Sequence, residues 1–167
     1  MNMKKILIMV LFFAPISLCA QKFGHFNSAE LIQSMPEYKT AQAELEKLQK
    51  QYEDEIKAMQ DEFTRKYQDY ESRKDSLPDN IKQRHEQQLQ ELNARIQQTG
   101  QDDQQALQKA SAEKMQLIAD KVKNAVKAIG DAGGYVYIMD VTAGIPFISE
   151  KLSTDITSEL KTKLGLK

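Results

Sequence analysis

Apolar positions are spread unevenly along this chain. They are dense over residues 23–35 and 115–164 and thin between them. A single globule would not thin out in its middle, so the pattern predicts a small core built from both chain ends around a long solvated excursion. Within the excursion, Tyr38, Ala41, Leu45, Leu48, Tyr52, Ile56, Met59, Phe63, Tyr67 and Tyr70 recur at spacings of three and four. The mean step is about 3.6, the helical period. Glu, Lys, Gln and Asp fill most other positions, so the helix carries one narrow apolar stripe, as in a coiled coil. A helix over 38–76 would be about 58 Å long at about 1.5 Å per residue.

The stretch KDSLPDNIK, residues 74–82, interrupts this run. Pro78 disfavours helix at Leu77 but suits a first helical turn. Ser76-Leu77-Pro78-Asp79 fits the capping pattern S-x-x-[DE], and Ser34-Met35-Pro36-Glu37 has the same form ahead of the first long helix. A second helix is therefore predicted from about residue 77, through Ile81, Leu89, Leu92, Ile96, Leu107, Ala110, Leu117, Val122, Val126 and Ile129. Gly130, Gly133 and Gly134 end it. A short link between two one-striped helices favours an antiparallel hairpin, because only then do the stripes cover each other. QQTGQDDQQ, residues 97–105, has no apolar residue and carries Gly100. It reads as a poorly packed, bendable segment opposite residues 49–57 or so.

The two ends change the period. KFGHF (22–26) reads as a strand, and Asn27 with Glu30 resembles a capping box for a short helix. YVYIMDV (135–141) is β-branched and aromatic, hence a strand; TAG is a turn; IPFIS (145–149) is a second short strand. Ser153-Thr-Asp-Ile156 opens a closing helix with Ile156, Leu160 and Leu164 on one side. The predicted fold is mainly α with a small β body: residues 21–37 and 130–167 form the body, and 38–129 a helical hairpin arm.

Residues 1–20 read as a leader. A basic MNMKK start precedes the apolar run ILIMVLFFAPISL and a small-residue cleavage site after Ala20. The run falls short of the roughly 20 residues of a spanning helix. Cys19 raises lipidation, but Leu18 before it is not small, which argues against that route. Cleavage removes the only cysteine, so no disulfide would form in a compartment that permits one. Lys4 and Lys5 leave too, moving the net charge by two, from −1 to −3.

Candidate chemistry is sparse. His25 and His85 are the only histidines, and no metal-ligand spacing, nucleophile motif or phosphate loop occurs. Asp102 and Asp103, about 100° apart on a helix, read as a solvated patch. Neither catalysis, nor a metal, nor a cofactor is expected. The acidic balance without a basic block argues against nucleic acid. Tyr52, Met59, Phe63, Tyr67 and Tyr70 are either coiled-coil core or an adaptable apolar contact surface, since Tyr is amphipathic and Met pliable. Arg65, Arg73, Lys74, Lys82 and Arg84 cluster near the predicted hairpin tip, either as solvated surface or as a docking patch.

The order of elements, with KFGHFNSAELIQSMPEYKTAQAELEKL at the start and YVYIMDVTAGIPFISEKLSTDITSEL at the end, resembles the Skp/OmpH family of periplasmic chaperones. The likeness spans the whole chain after the leader. It implies a jellyfish-shaped homotrimer in the periplasm, whose arms enclose unfolded outer-membrane proteins without ATP. Phe23, Phe26, Val136, Ile138, Ile145 and Phe147 would then be trimer contacts, and the Tyr52–Tyr70 stripe would meet clients. Peripheral membrane association is left open by the resemblance. Well-known members are strongly basic, whereas residues 60–113 here carry eight basic and eleven acidic residues. Electrostatic client capture is therefore not expected. The other reading is a coiled-coil envelope protein using its arms as spacers.

Overall fold

The computed structural model describes residues 21–166; the leader predicted at 1–20 lies outside the described residues. The order is β1 (Lys22–Phe26), α1 (Ser28–Ser34), α2 (Pro36–Arg73), a 3-10 turn (Lys74–Ser76), α3 (Asp79–Gly133), β2 (Tyr135–Asp140), a 3-10 turn (Val141–Ala143), β3 (Ser153–Asp155) and α4 (Thr157–Lys163). The chain is thus mainly α with a small sheet.

Helices α2 and α3 form the expected antiparallel hairpin, turning at Leu77 and Pro78. Residue numbers fall on one helix as they rise on the other: Glu37 pairs with Lys121, Glu44 with Lys114, and Tyr70 with Glu86. The two predicted serine caps are not made. Ser34 Oγ donates to the Leu31 carbonyl at 2.6 Å and Ser76 Oγ to the Arg73 carbonyl at 2.8 Å. Both serines still sit in helical turns, where a hydroxyl bonds backward. Met35 and Pro78 occupy the N-cap positions without a side-chain cap. Asn27 does cap α1, its Oδ1 accepting from Glu30 N at 3.0 Å. Glu30, expected to reach back to Asn27, instead receives Lys161 Nζ at 2.6 Å, which ties α1 to α4.

At about 1.5 Å per residue, α2 with 38 residues is about 57 Å long and α3 with 55 residues about 83 Å. The excess of α3 runs into the body. Its Ile118, Val122, Ala125 and Ile129 are buried with Phe26, Leu31, Met35, Ala41, Ile156 and Leu160. The core thus combines both chain ends, as the pattern implied, and reaches into residues assigned to the arm. Leu117, expected on the inner stripe, is 72% exposed, and its neighbour Ile118 takes the place. The helix passes through Gly130 and stops at Gly134, which is left-handed at φ 66° and donates its N–H to the Gly130 carbonyl. A side chain at that φ would cost about 1–2 kcal/mol.

The three strands are parallel in the order β2-β1-β3. Parallel neighbours need crossovers of about a dozen residues or more. The hairpin is the first crossover. The second is the loop 141–152, which lies across the opposite face of the sheet. This overturns the strand predicted at 145–149. Both edges of β1 are taken, Pro146 lacks a donor, and IPFIS lies over the sheet rather than in it. The third strand is Ser153–Asp155, which pairs with Phe23, Gly24 and His25, so Ser153 does not open the last helix. Ile156 is the N-cap and has no capping side chain; Asp155, one residue earlier, receives the first-turn donors, its Oδ1 accepting from Thr157 N at 2.8 Å and Oγ1 at 2.6 Å.

The bonds from Thr157 hold the Asp155 carboxyl below its usual range. At Asp140 burial acts upward, but bonds from Ser28 and Thr142 prevail and lower it. A lowered carboxylate stabilises the fold above its unfolded value of about 3.9 and loses that contribution as pH falls through the folded value. Asp155→Ala is expected to cost about 1 kcal/mol at neutral pH, the worth of a side-chain hydrogen bond to a first-turn amide. It should also shrink the loss of stability below about pH 4. Circular-dichroism melts across pH 2–7 check both; an unchanged acid limb would remove Asp155 from the account.

Candidate functional site

Two surfaces carry the candidate residues. The first is the arm seam. Tyr70 is 8% exposed and closed inside the hairpin. Its hydroxyl donates to Glu86 Oε1 at 2.6 Å, and its ring lies 5.8 Å from that of His85. The bond to Glu86 pushes the phenol up to about 12. Tyr52, Met59 and Phe63 are half-buried in the same seam. Tyr67 is 47% exposed and stacks on Phe63 at 6.2 Å between centroids. The stripe is therefore graded, closed at the tip and half-open along the shaft. Of the five residues, the Phe63–Tyr67 pair offers the most apolar surface to a visitor.

Polar residues also hold seam positions. His85, Asp103 and Lys114 are half-buried there, and a search for apolar residues alone passes over them. Their 3–4 spacing from Leu89, Leu107 and Ile118 was the available signal.

The second surface is the outer face of the sheet. Phe23 stacks on Tyr137 at 5.3 Å. Together with Met139 and the loop residues Ile145, Phe147 and Leu152 they surround a hollow of about 230 Å³. Phe147 is 79%, Leu152 75%, Tyr137 58% and Met139 50% exposed. Val136 is also exposed; the register slips by one residue between Lys22 and Phe23 and leaves it without a partner opposite. Phe26 is buried in the chain's own core, and Ile138 packs against that core. Neither reaches the outer face. Tyr137, Met139 and Leu152 do, and none of the three stands out from the sequence. Alternation in YVYIMD marks two faces, both apolar, and cannot say which one turns inward.

His25 Nδ1 and Ser153 Oγ share a hydrogen bond of 2.9 Å on the same face. Asp155, opposite His25, bonds Thr157 instead. The trio has the residue types of a nucleophilic site but spends its bonds on strand pairing and a helix cap. Among the described residues no group of three or more His, Cys, Asp or Glu is placed to hold a metal. No described helix is long and apolar enough to cross a membrane. The geometry offers surfaces rather than reacting groups.

Comparison with known proteins adds to this picture. The crystal structure of a candidate outer membrane chaperone (OmpH-like) from Caulobacter crescentus CB15 superposes with a TM-score of 0.75. It shares 15% identity over 86% of this chain and 83% of its own, so the likeness is one of fold. No curated protein matches. The profile of the family described as outer membrane protein (OmpH-like) matches residues 22–164, from β1 through α4. Hairpin and both ends match together, and the chain belongs to the OmpH-like outer membrane protein family.

Proposed function

We propose that this protein is a periplasmic, ATP-independent holdase chaperone. Three chains join through their bodies, and unfolded outer-membrane proteins are held between the arms. The observation that carries the reading is the unpartnered apolar face of the sheet, set beside a hairpin that, beyond its base, takes no part in the core. One chain leaves Tyr137, Met139, Phe147 and Leu152 open. Exposed apolar patches of this kind mark interaction sites. Family membership, and the Caulobacter chaperone of the same fold, support the same reading. The leader at 1–20 would direct export.

A cage that binds unfolded but not folded client lowers free client by mass action. Many weak contacts serve that task better than one tight pocket, and catalysis has no part in it. The body comprises residues 21–37 and 130–167, the arm 38–129. The base of α3 contributes to both.

Deleting matched arm segments, residues 60–95 with the ends rejoined by a short turn, is expected to leave assembly intact and to abolish protection of an unfolded outer-membrane barrel protein. Light scattering reads aggregation and sedimentation reads assembly. Full protection by the shortened chain would move client binding to the body. The second reading is a coiled-coil spacer whose arms pair between chains along their length, for which the half-open seam at Tyr52, Met59 and Phe63 would serve. Small-angle scattering separates the two, because a spacer lacks the central void of a cage.

A further inference from the structure

We infer that a groove midway along the arm is a subsite for a cationic side chain flanked by large apolar residues, presented by an extended, unfolded polypeptide. The inference rests on the holdase reading and names one chemical preference within it. On α3 the seam runs Leu92, Ile96, Gly100, Asp103, Leu107. Two of these five positions fail to fill it. Gly100 is not required by crowding: an added Cβ would meet only Ile56 Cδ1, at 3.9 Å. Glycine in a helix interior costs about 1 kcal/mol against alanine. Asp103 Oδ2 is buried and has no hydrogen-bond partner among the described residues, and an unmet buried acceptor is costly. Two unfavourable choices thus stand one turn apart, and together they open a groove of about 420 Å³ between the helices.

The walls of the groove are apolar, from Tyr52, Ile56 and Leu107. Glu53 and Lys57 stand on its α2 rim, both exposed. Glu53 accepts from Gln49 Nε2 at 2.7 Å. With Asp103, the lining carries two carboxylates and one ammonium, one net negative charge. The complement is a cation with an apolar stem. Arginine suits it, since its stem lies along apolar walls while its planar fork meets a carboxylate. In an extended segment that alternates apolar and polar residues, as outer-membrane strands do, a charged side chain stands between apolar neighbours.

The test uses the mature full-length protein and two fluorescent peptides of about ten residues. One has Phe-Arg-Phe at its centre, the other Phe-citrulline-Phe, which keeps the shape and removes the charge. By anisotropy the wild type is expected to favour the arginine peptide about five- to tenfold, as a charge-assisted bond at a partly open site allows. Asp103→Asn should bring that ratio close to one. Gly100→Leu fills the groove while improving helix propensity, so it should weaken both peptides at least several-fold without loss of helicity. Gly100→Ala gains the propensity but adds only a methyl, and should bind as the wild type does. No arginine preference, a preference that survives Asp103→Asn, or equal weakening by Gly100→Ala and Gly100→Leu would each overturn the assignment. The last outcome would point to arm flexibility instead of occupancy. If the wild type fails to protect any unfolded outer-membrane protein, the holdase reading falls. If it protects and these variants bind unchanged, the groove alone falls.

Discussion

Replacing Tyr137 and Phe147 with aspartate is expected to yield folded monomers. Both side chains stand on the outer face of the sheet and leave the chain's own core untouched. Covering an aromatic side chain contributes about 1.5–3 kcal/mol. A carboxylate in its place must be desolvated without a partner, which costs several kcal/mol more. With two such sites on every chain, association should weaken by several orders of magnitude. Sedimentation equilibrium reads the mass, and far-UV circular dichroism should report unchanged helicity. Ile138→Asp serves as the contrast. Ile138 faces inward, and its Cδ1 lies 3.3 Å from where a Cβ on Gly130 would stand. A charge there should unfold the body rather than merely separate the chains. If the double variant still sediments as the wild-type oligomer, the outer face is not the contact.

Leu160→Ala is expected to be among the most damaging conservative changes. Leu160 has no exposed surface and joins α4 to a core of ten buried side chains among the described residues. Removing a buried leucine side chain costs about 2–5 kcal/mol, depending on how far the cavity collapses. Whole domains are stable by only about 5–15 kcal/mol. The melting temperature should fall by roughly 10 °C, measured at matched chain concentration because the proposed assembly would contribute to it. Leu117→Ala, one apolar residue of the same kind at an exposed position, should change it by less than about 2 °C. Similar losses in both variants would mean that the body core is drawn wrongly.

What could be read from the sequence was what is local. The stripe from Tyr38 to Tyr70 lies along the hairpin seam, with Tyr67 alone of its members exposed, and the hairpin turns at Pro78. Both follow from a period and from a residue that cannot donate. Leu117 and Ile118 are adjacent, so a spacing of three or four accommodates either, and only packing against the body chose Ile118. The third strand, Ser-Thr-Asp, has no apolar alternation; its partner β1 lies some 130 residues earlier. IPFIS has a strand's composition but joins neither open edge of the sheet, the outer sides of β2 and β3. For the candidate surfaces, periodicity found the arm stripe. It could not tell that Phe26 and Ile138 point inward while Tyr137 and Met139 point out. That choice depends on which face the helices cover, a non-local matter.

The length of α3 bears on the order in which this chain can take shape. β1 emerges first in synthesis, yet its partner β2 lies more than a hundred residues downstream and β3 further still. Closing so long a loop before any reward is slow. The hairpin provides a shorter route. Its tip brings Tyr70 and Glu86 together across only 16 residues, and each turn of zipping draws the chain ends nearer. Ile156 and Leu160, which follow both helices in the chain, join the same core. On sequence separation alone the hairpin is expected to form first, from its tip inward, with the body closing on it afterwards.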